Sequence, residues 1–142
     1  MANITTIGSA LIDLYFTSND FIFQRQQKLT YLCQAYGQKM EMSDYQLTTG
    51  GAASNAAVAF ARRGHQVSII AEMGADLFAQ MIKQELESEG VAIDYLITEE
   101  KEQTGCSVIL RGSDGGRSIM VSRSAANMLD DYDIPLDRKT HV

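Results

Sequence analysis

The stretch "TTGGAASNAAVAFARRG", residues 48–64, constrains the fold of this chain more than any other feature. Two adjacent glycines, Gly50 and Gly51, are followed at once by a run rich in helix formers. The pattern predicts a loop that leads directly into a helix from Ala52 to Arg63, with Gly64 in the left-handed position after the last turn. On spacing alone, two interpretations of the glycine pair stay open: close packing of the helix on a sheet, or backbone left bare for a ligand.

Strand and helix patterns alternate after the glycine pair. The run "QVSIIAEMG", residues 66–74, is compact and apolar, which is typical of a strand buried in a parallel sheet. Asp76 is a suitable N-cap for a second helix that runs to Glu89. Alternation of this kind predicts an α/β fold, in which βαβ units build a parallel sheet covered by helices.

Two further regions show the polar and apolar alternation of strands with one wetter face. In residues 21–46 we predict two half-buried strands joined by a turn at Gly37. In residues 104–122 we predict a hairpin whose turn is "SDGG", residues 113–116. Neither region fits inside a parallel sheet with both faces covered, so we expect them to form a small separate sheet together, as a cover over one edge of the main body.

Charge and composition limit the function classes. The 142 residues include 12 Lys and Arg against 18 Asp and Glu, a net charge of −6, and 45% of them are hydrophobic. A packed domain is therefore feasible, and a nucleic-acid partner is disfavoured because phosphate backbones require a basic face. No stretch reaches the roughly 18 apolar residues of a membrane span, and the N-terminus lacks the features of a signal peptide. With two cysteines too few for a disulfide framework, we expect a cytoplasmic protein without a membrane partner.

The polar residues near the glycine pair suggest a binding site. Ligands of open parallel sheets lie beyond the carboxyl ends of the strands, where the first N–H groups of a helix can face an oxygen acceptor. Asn55 follows on the first turn, and Asp13 is predicted at the end of the first strand region. A carboxylate, an amide and bare backbone suit a polyhydroxylated molecule. The plainer alternatives are that Asn55 is a local cap and Asp13 a solvated strand end.

The run "GGAASNAAVAFARRG" resembles the N-terminal signature of the ribokinase-like, PfkB-type carbohydrate kinases. Three further segments resemble the same family in the same order: "TTIGSALIDLYF", "AEMGADLFAQMIKQELESEGVAID" and "TGCSVILRGSDGGRSIMVSRSAAN". The resemblance implies a ribokinase-like fold, with a Rossmann-type parallel sheet, helices and a small β lid. It also implies that residues 1–142 are the N-terminal part of one kinase domain, with a βαβ body at 48–98 and lid strands at about 14–47 and 104–122.

The resemblance implies an ATP-dependent, Mg²⁺-assisted transfer of a phosphoryl group to a hydroxyl of a sugar or sugar-like alcohol. Asp13 would bind substrate hydroxyls, and Gly50, Gly51 and Asn55 would line the same pocket. Lid strands in this family close over the sugar and sometimes mediate a homodimer. Arg117 and Arg123, on or just after the lid hairpin, are candidates for an acidic or phosphorylated sugar, and Arg123 is included among the predicted substrate-binding residues. Their plainer interpretation is a solvated arginine.

Departures from the family pattern bear on substrate and activity. Leu11 and Ala52 stand where ribokinase has Asn and Lys, which disfavours a ribose-specific pocket. Within the family, Ala52 together with Arg117 and Arg123 favours a keto-sugar, an acid sugar or a nucleoside-like alcohol. Family members are substantially longer, and their glycine-rich motif with the catalytic Asp, their nucleotide pocket and their magnesium-organising residues have no counterpart here. We therefore expect no catalytic or metal-binding residue in this chain, which resembles the N-terminal half of a kinase and is expected to be inactive alone.

The origin of the short length stays open between a cropped piece, a short reading frame and half of a split protein. Two other function classes also stay open. One is a catalytically silent sugar-binding or regulatory fragment. The other is half of a dinucleotide-binding domain, which the missing G-x-G-x-x-G fingerprint disfavours.

Overall fold

The computed structural model describes residues 1–134, and residues 135–142 of the predicted domain lie outside the described residues. The chain divides into two compact units. Among the described residues, the first unit comprises 1–12, 49–106 and 122–134, and the second comprises 13–48 and 107–121. The sequence predicts a body at 48–98 and lid strands at about 14–47 and 104–122. That the second unit acts as a lid stays a prediction.

The first unit is built on parallel strands. Strand β1 (Asn3–Ile7) pairs with the long central strand β6 (Gln66–Gly74), which also pairs with β7 (Val91–Ala92) and β8 (Leu96–Glu99), all parallel. Helices α1 (Ala52–Ala61) and α2 (Leu77–Ser88) form the connections between these strands. The parallel α/β class predicted from the alternation is confirmed. The buried apolar side chains of this unit include Ala53, Ala57, Val67, Ile69, Met73, Ile82, Leu86 and Val91.

Each helix is followed by a glycine in the left-handed conformation, as the sequence predicts. Gly64 and Gly90 have φ angles of +82° and +75°, the left-handed conformation that a glycine adopts without a Cβ clash. The side chain of Asp76 accepts a hydrogen bond from the Ala79 N–H at 3.0 Å, so the predicted N-cap of α2 is confirmed. The structure ends α1 at Ala61, two residues before the predicted end at Arg63.

The second unit differs from the predicted pair of hairpins. A four-stranded sheet has the order β10 (Arg117–Ser122), β9 (Cys106–Arg111), β2 (Leu11–Thr17) and β5 (Asp44–Gly50), and most of its residues belong to this unit. The hairpin at 104–122 is confirmed, but its sheet partners are β2 and β5. Strands β3 (Ile22–Gln26) and β4 (Leu29–Cys33) form a separate antiparallel two-stranded sheet.

The predicted turn at Gly37 is present between β4 and β5, and Gly37 has a φ of +76°. The two strands do not pair with each other and are mostly exposed, not half-buried. Gln26 pairs with Leu29, so β4 instead forms a hairpin with β3 that turns at Gln27 and Lys28. Gln27 takes a φ of +53°, a conformation that non-glycine residues seldom adopt, and therefore no turn signal marks the position in the sequence. Neither helix among residues 1–134 has the length and apolar character needed to cross a membrane.

Candidate functional site

The N-terminus of α1 is fastened to the loop after β1. The Ala52 N–H donates to Ser9 Oγ at 3.1 Å, and the Ala53 N–H donates to the Ser9 carbonyl oxygen at 3.1 Å. The expectation that the first helix N–H groups are free to face a ligand is therefore wrong for these two amides. The geometry is that of a helix start capped by a neighbouring loop, which satisfies donors that a helix leaves unpaired.

Gly51 is required by this close approach. Its φ is +100°, and a Cβ built there would lie 2.8 Å from the Ser9 carbonyl carbon and 2.9 Å from the Ala10 Cα. No side chain fits at such distances, so the packing interpretation accounts for Gly51. Gly50, at the end of β5, is buried. A role of either glycine in substrate binding stays a prediction.

Asn55 is exposed and borders an open depression of about 260 Å³ on α1. The Ser54 hydroxyl is buried there without a hydrogen-bond partner among residues 1–134. The Arg62 Nε donates to Glu89 Oε2 at 2.8 Å, a contact that raises the pKa of Arg62 and lowers that of Glu89. The depression contains Asn55 but neither glycine of the pair. Its lining residues are Thr49, Ser54, Asn55, Val58, Ala59, Arg62 and Glu85.

Asp13 lies within β2 and not at a strand end, which corrects the predicted position. The strand continues to Thr17 because Leu14, Tyr15 and Phe16 all favour extended backbone. Asp13 is half-buried and belongs to the second unit, whereas Gly50, Gly51, Asn55 and Arg123 belong to the first. Its grouping with those residues in one pocket stays a prediction.

The arginines singled out in the sequence are both exposed. Arg117 begins β10, and Arg123 precedes the 3-10 turn Ser124–Asn127. Sequence reasoning missed Arg111, the last residue of β9, which is half-buried. Its guanidinium carbon lies 4.1 Å from the centroid of the Tyr15 ring. The signal was present in "CSVILR", because strand alternation places Arg111 on the same side as the buried Ser107 and Ile109.

A second missed residue is Glu72, in the centre of the first unit. Its side chain is 3% exposed, and its Oε2 atom has no hydrogen-bond partner among residues 1–134. Burial, followed by the negative charges of Asp133 and Glu99, raises the pKa of Glu72 to about 7. The sequence pattern of β6 predicts a buried strand, but it does not show that the Glu72 carboxyl is buried without a hydrogen-bond partner for Oε2.

Asp76 joins α2 to the segment before β9. Besides capping the helix, its carboxylate accepts hydrogen bonds from the Thr104 hydroxyl at 2.6 Å and the Thr104 N–H at 2.9 Å. Burial acts to raise the pKa of Asp76, but the hydrogen bonds from Thr104 and Ala79 outweigh it, and the pKa is lowered. The turn "GAD" thus has a structural role beyond the N-cap.

Side-chain clusters suited to a metal are absent from the described part of the chain. Within residues 1–134, no group of three or more His, Cys, Asp or Glu side chains is arranged to hold an ion.

Several known proteins are similar to this chain in sequence and in fold. The ribokinase of Bacillus subtilis is 31% identical over 125 residues, which cover 88% of this chain and 38% of the relative. A ribokinase from Cryptococcus neoformans, solved in complex with ADP, superposes with a TM-score of 0.67 at 29% identity, over 88% of this chain and 35% of that one. The Arabidopsis thaliana ribokinase complexed with ribose and ATP superposes with a TM-score of 0.69 at 26% identity, over 85% and 36%.

The chain thus spans well under half the length of the relatives it matches. The family model described as "pfkB family carbohydrate kinase" matches residues 1–139, nearly the whole sequence. The predicted resemblance and the ribokinase-like fold are confirmed, and the chain belongs to the pfkB family of carbohydrate kinases.

Proposed function

We propose that this chain supplies the acceptor-binding part of a carbohydrate kinase that transfers a phosphoryl group from ATP to a hydroxyl of a sugar or sugar-like alcohol. The observation that carries the proposal is the family match over residues 1–139. The ADP and ATP complexes of the two ribokinases support the nucleotide as donor. Mg²⁺ belongs to the proposal as a family expectation.

Asp13 is the proposed contact to substrate hydroxyls. Its carboxylate is half-buried and forms no ion pair within residues 1–134, so both oxygens are available as acceptors. Gly50, Gly51 and Asn55 are proposed to line the same pocket, and Arg123 to contact a polar group of the substrate. Ala52 together with Arg117 and Arg123 favours a keto-sugar, an acid sugar or a nucleoside-like alcohol as the acceptor.

The proposal extends to assembly and location. Apolar side chains on the β3–β4 hairpin are exposed, among them Leu29 at 61% and Ile22 at 51%, which supports a homodimer formed through the second unit acting as a lid. Cys33 and Cys106 are free thiols, which supports a cytoplasmic location.

Transfer of labelled γ-phosphate from ATP to a panel of sugars, acid sugars and nucleosides tests the activity. We expect no product from the 142-residue chain alone, and product with at least one acceptor from the same chain extended through its downstream reading frame. Asp13→Asn in the extended chain is expected to lose that product. The matched control is Asp20→Asn, an exposed carboxylate of the same unit that forms no side-chain hydrogen bond or ion pair within residues 1–134.

A second candidate is a sugar-binding or regulatory protein without transfer activity. The half-buried Asp13 carboxylate, which has no ion pair within residues 1–134, supports acceptor binding in this candidate as well. Saturable acceptor binding with no phosphorylated product from either the 142-residue or the extended chain supports this candidate. Absence of both binding and product contradicts both candidates.

A further inference from the structure

Arg111 is held in place by an aromatic ring. The guanidinium carbon lies 4.1 Å above the centre of Tyr15, the one cation–π contact among residues 1–134. Such a contact becomes stronger as the cation is removed from water. The side chain is half-buried, so much of its conformational freedom is already lost before any ligand arrives.

Arg111 has no carboxylate partner in the described part of the chain. The single ion pair of residues 1–134 joins Arg62 to Glu89, on the other unit. A guanidinium that is partly removed from water without a counter-charge gains from an anion, and its fork of donors pairs bidentately with a carboxylate or a phosphate. Arg117 is exposed and has no aromatic ring beneath it, so it lacks both properties.

Asp13 shares a strand face with this pair. Side chains two residues apart in a strand point to the same face, so Asp13 and Tyr15 of β2 lie on one side of the sheet, about 7 Å apart along the strand. Because Arg111 lies over Tyr15, its guanidinium is on that side as well. All three residues belong to the second unit. One face therefore offers an acceptor for hydroxyl groups and a fixed cation close to each other.

We propose that Arg111 binds an anionic group, a carboxylate or a phosphate ester, of a polyhydroxylated acceptor whose hydroxyls are bound by Asp13. The proposal rests on the proposed function and narrows its substrate class to anionic sugars. Tyr15 acts as a positioning residue, since it holds the guanidinium without touching the anion.

Two matched pairs of acceptors test the proposal by calorimetric titration of the 142-residue chain. D-gluconate is compared with D-glucitol for the carboxylate, and D-fructose 6-phosphate with D-fructose for the phosphate ester. We expect the anionic member of at least one pair to bind about tenfold more tightly, the effect of one charged hydrogen-bonded pair. The pair that shows the preference identifies the group that Arg111 recognises.

Variants then test whether Arg111 causes the preference for the anionic acceptor. Arg111→Gln is expected to abolish it while the affinity for the neutral member changes less than about twofold. Arg111→Lys, which keeps the charge but not the fork, is expected to retain part of it. Tyr15→Leu is expected to reduce the preference, and Tyr15→Phe to preserve it, because phenylalanine keeps the ring face. Arg25→Gln, which changes an exposed arginine of the same unit, is the matched control and is expected to bind like the parent chain.

Two results overturn the inference. One is a parent chain that binds both members of each pair equally, and the other is an Arg111→Gln variant with the preference intact. In both cases the neutral acceptor still binds, and the proposed function survives. A parent chain that binds no acceptor contradicts the proposed function as well. Melting curves of each variant separate lost recognition from lost folding, and Arg111→Lys gives the answer if the glutamine variant does not fold.

Discussion

At the scale of single residues, the buried Glu72 predicts an unusual pH dependence of stability. Its pKa in the folded chain is about 7, above its ordinary value of 4.5, because burial and neighbouring carboxylates oppose ionisation. Below the unfolded-state value the carboxyl is neutral in both states and costs nothing. Between pH 4.5 and 7 the folded chain loses stability as pH rises, and above pH 7 the cost is constant.

Glu72→Gln is therefore expected to stabilise the chain at pH 8 by at most about 3 kcal/mol, and to have little effect near pH 4.5. Urea unfolding at a series of pH values measures the difference in the free energy of unfolding. Glu87→Gln, an exposed position on α2, is the matched control and is expected to leave the difference between the two pH values unchanged. Equal pH dependence of the parent chain and Glu72→Gln would contradict this account.

The roles of single residues differ in how well they can be predicted from the sequence. Asp76 and Gly64 have local roles, a cap and a left-handed turn, and both were predictable from their position beside a helix. Arg111 and Glu72 depend on what packs against them from distant parts of the chain. Among three arginines in and after one hairpin, the sequence does not tell which one lies over a ring of β2. A site residue of that kind is found only in three dimensions.

At the scale of helices and strands, features set by local sequence were likewise predicted, and features set by distant contacts were not. The elements of the first unit follow from periodicity and caps, and their parallel class was predicted correctly. The partners of the outer strands were not, because pairing in a sheet is set by contacts far apart in sequence. The turn at Gly37 was predicted correctly, but the strands on either side of it belong to different sheets, and β4 pairs with β3 across a turn at Gln27 that has no glycine.

The contact between the start of α1 and the loop after β1 leads to a prediction about stability. Gly51→Ala is expected to cost several kcal/mol or to prevent folding, since its Cβ has no room beside Ser9 and Ala10. Gly64→Ala is the matched control, since its φ is also positive but nothing lies within 4 Å of the new Cβ, and it is expected to cost about 1–2 kcal/mol. Thermal unfolding of both variants measures the contrast. Similar melting temperatures of the two variants would show that the close approach of Gly51 to Ser9 and Ala10 does not restrict the side chain at residue 51.

At the scale of the whole molecule, exposed apolar side chains on the β3–β4 hairpin lead to a prediction about assembly. Leu29→Asp is expected to lower the dimer fraction in light scattering after size exclusion, because a charge is costly to bury in an apolar interface. Leu77→Asp, on the first turn of α2, is the control, since Leu77 is 74% exposed, compared with 61% for Leu29. A dimer that is insensitive to Leu29→Asp but disrupted by Leu77→Asp would place the interface on the first unit.

The central claim is that this member of the pfkB family binds a polyhydroxylated acceptor through Asp13. Its most direct test is the equilibrium dissociation constant of the 142-residue chain for neutral and anionic sugars, measured for the parent chain, Asp13→Asn and Asp20→Asn. We expect at least about a tenfold loss of affinity in Asp13→Asn, since a charged hydrogen-bond acceptor is removed, and no change in Asp20→Asn. Equal affinity of the parent chain and Asp13→Asn, or no binding of any acceptor, would contradict the account.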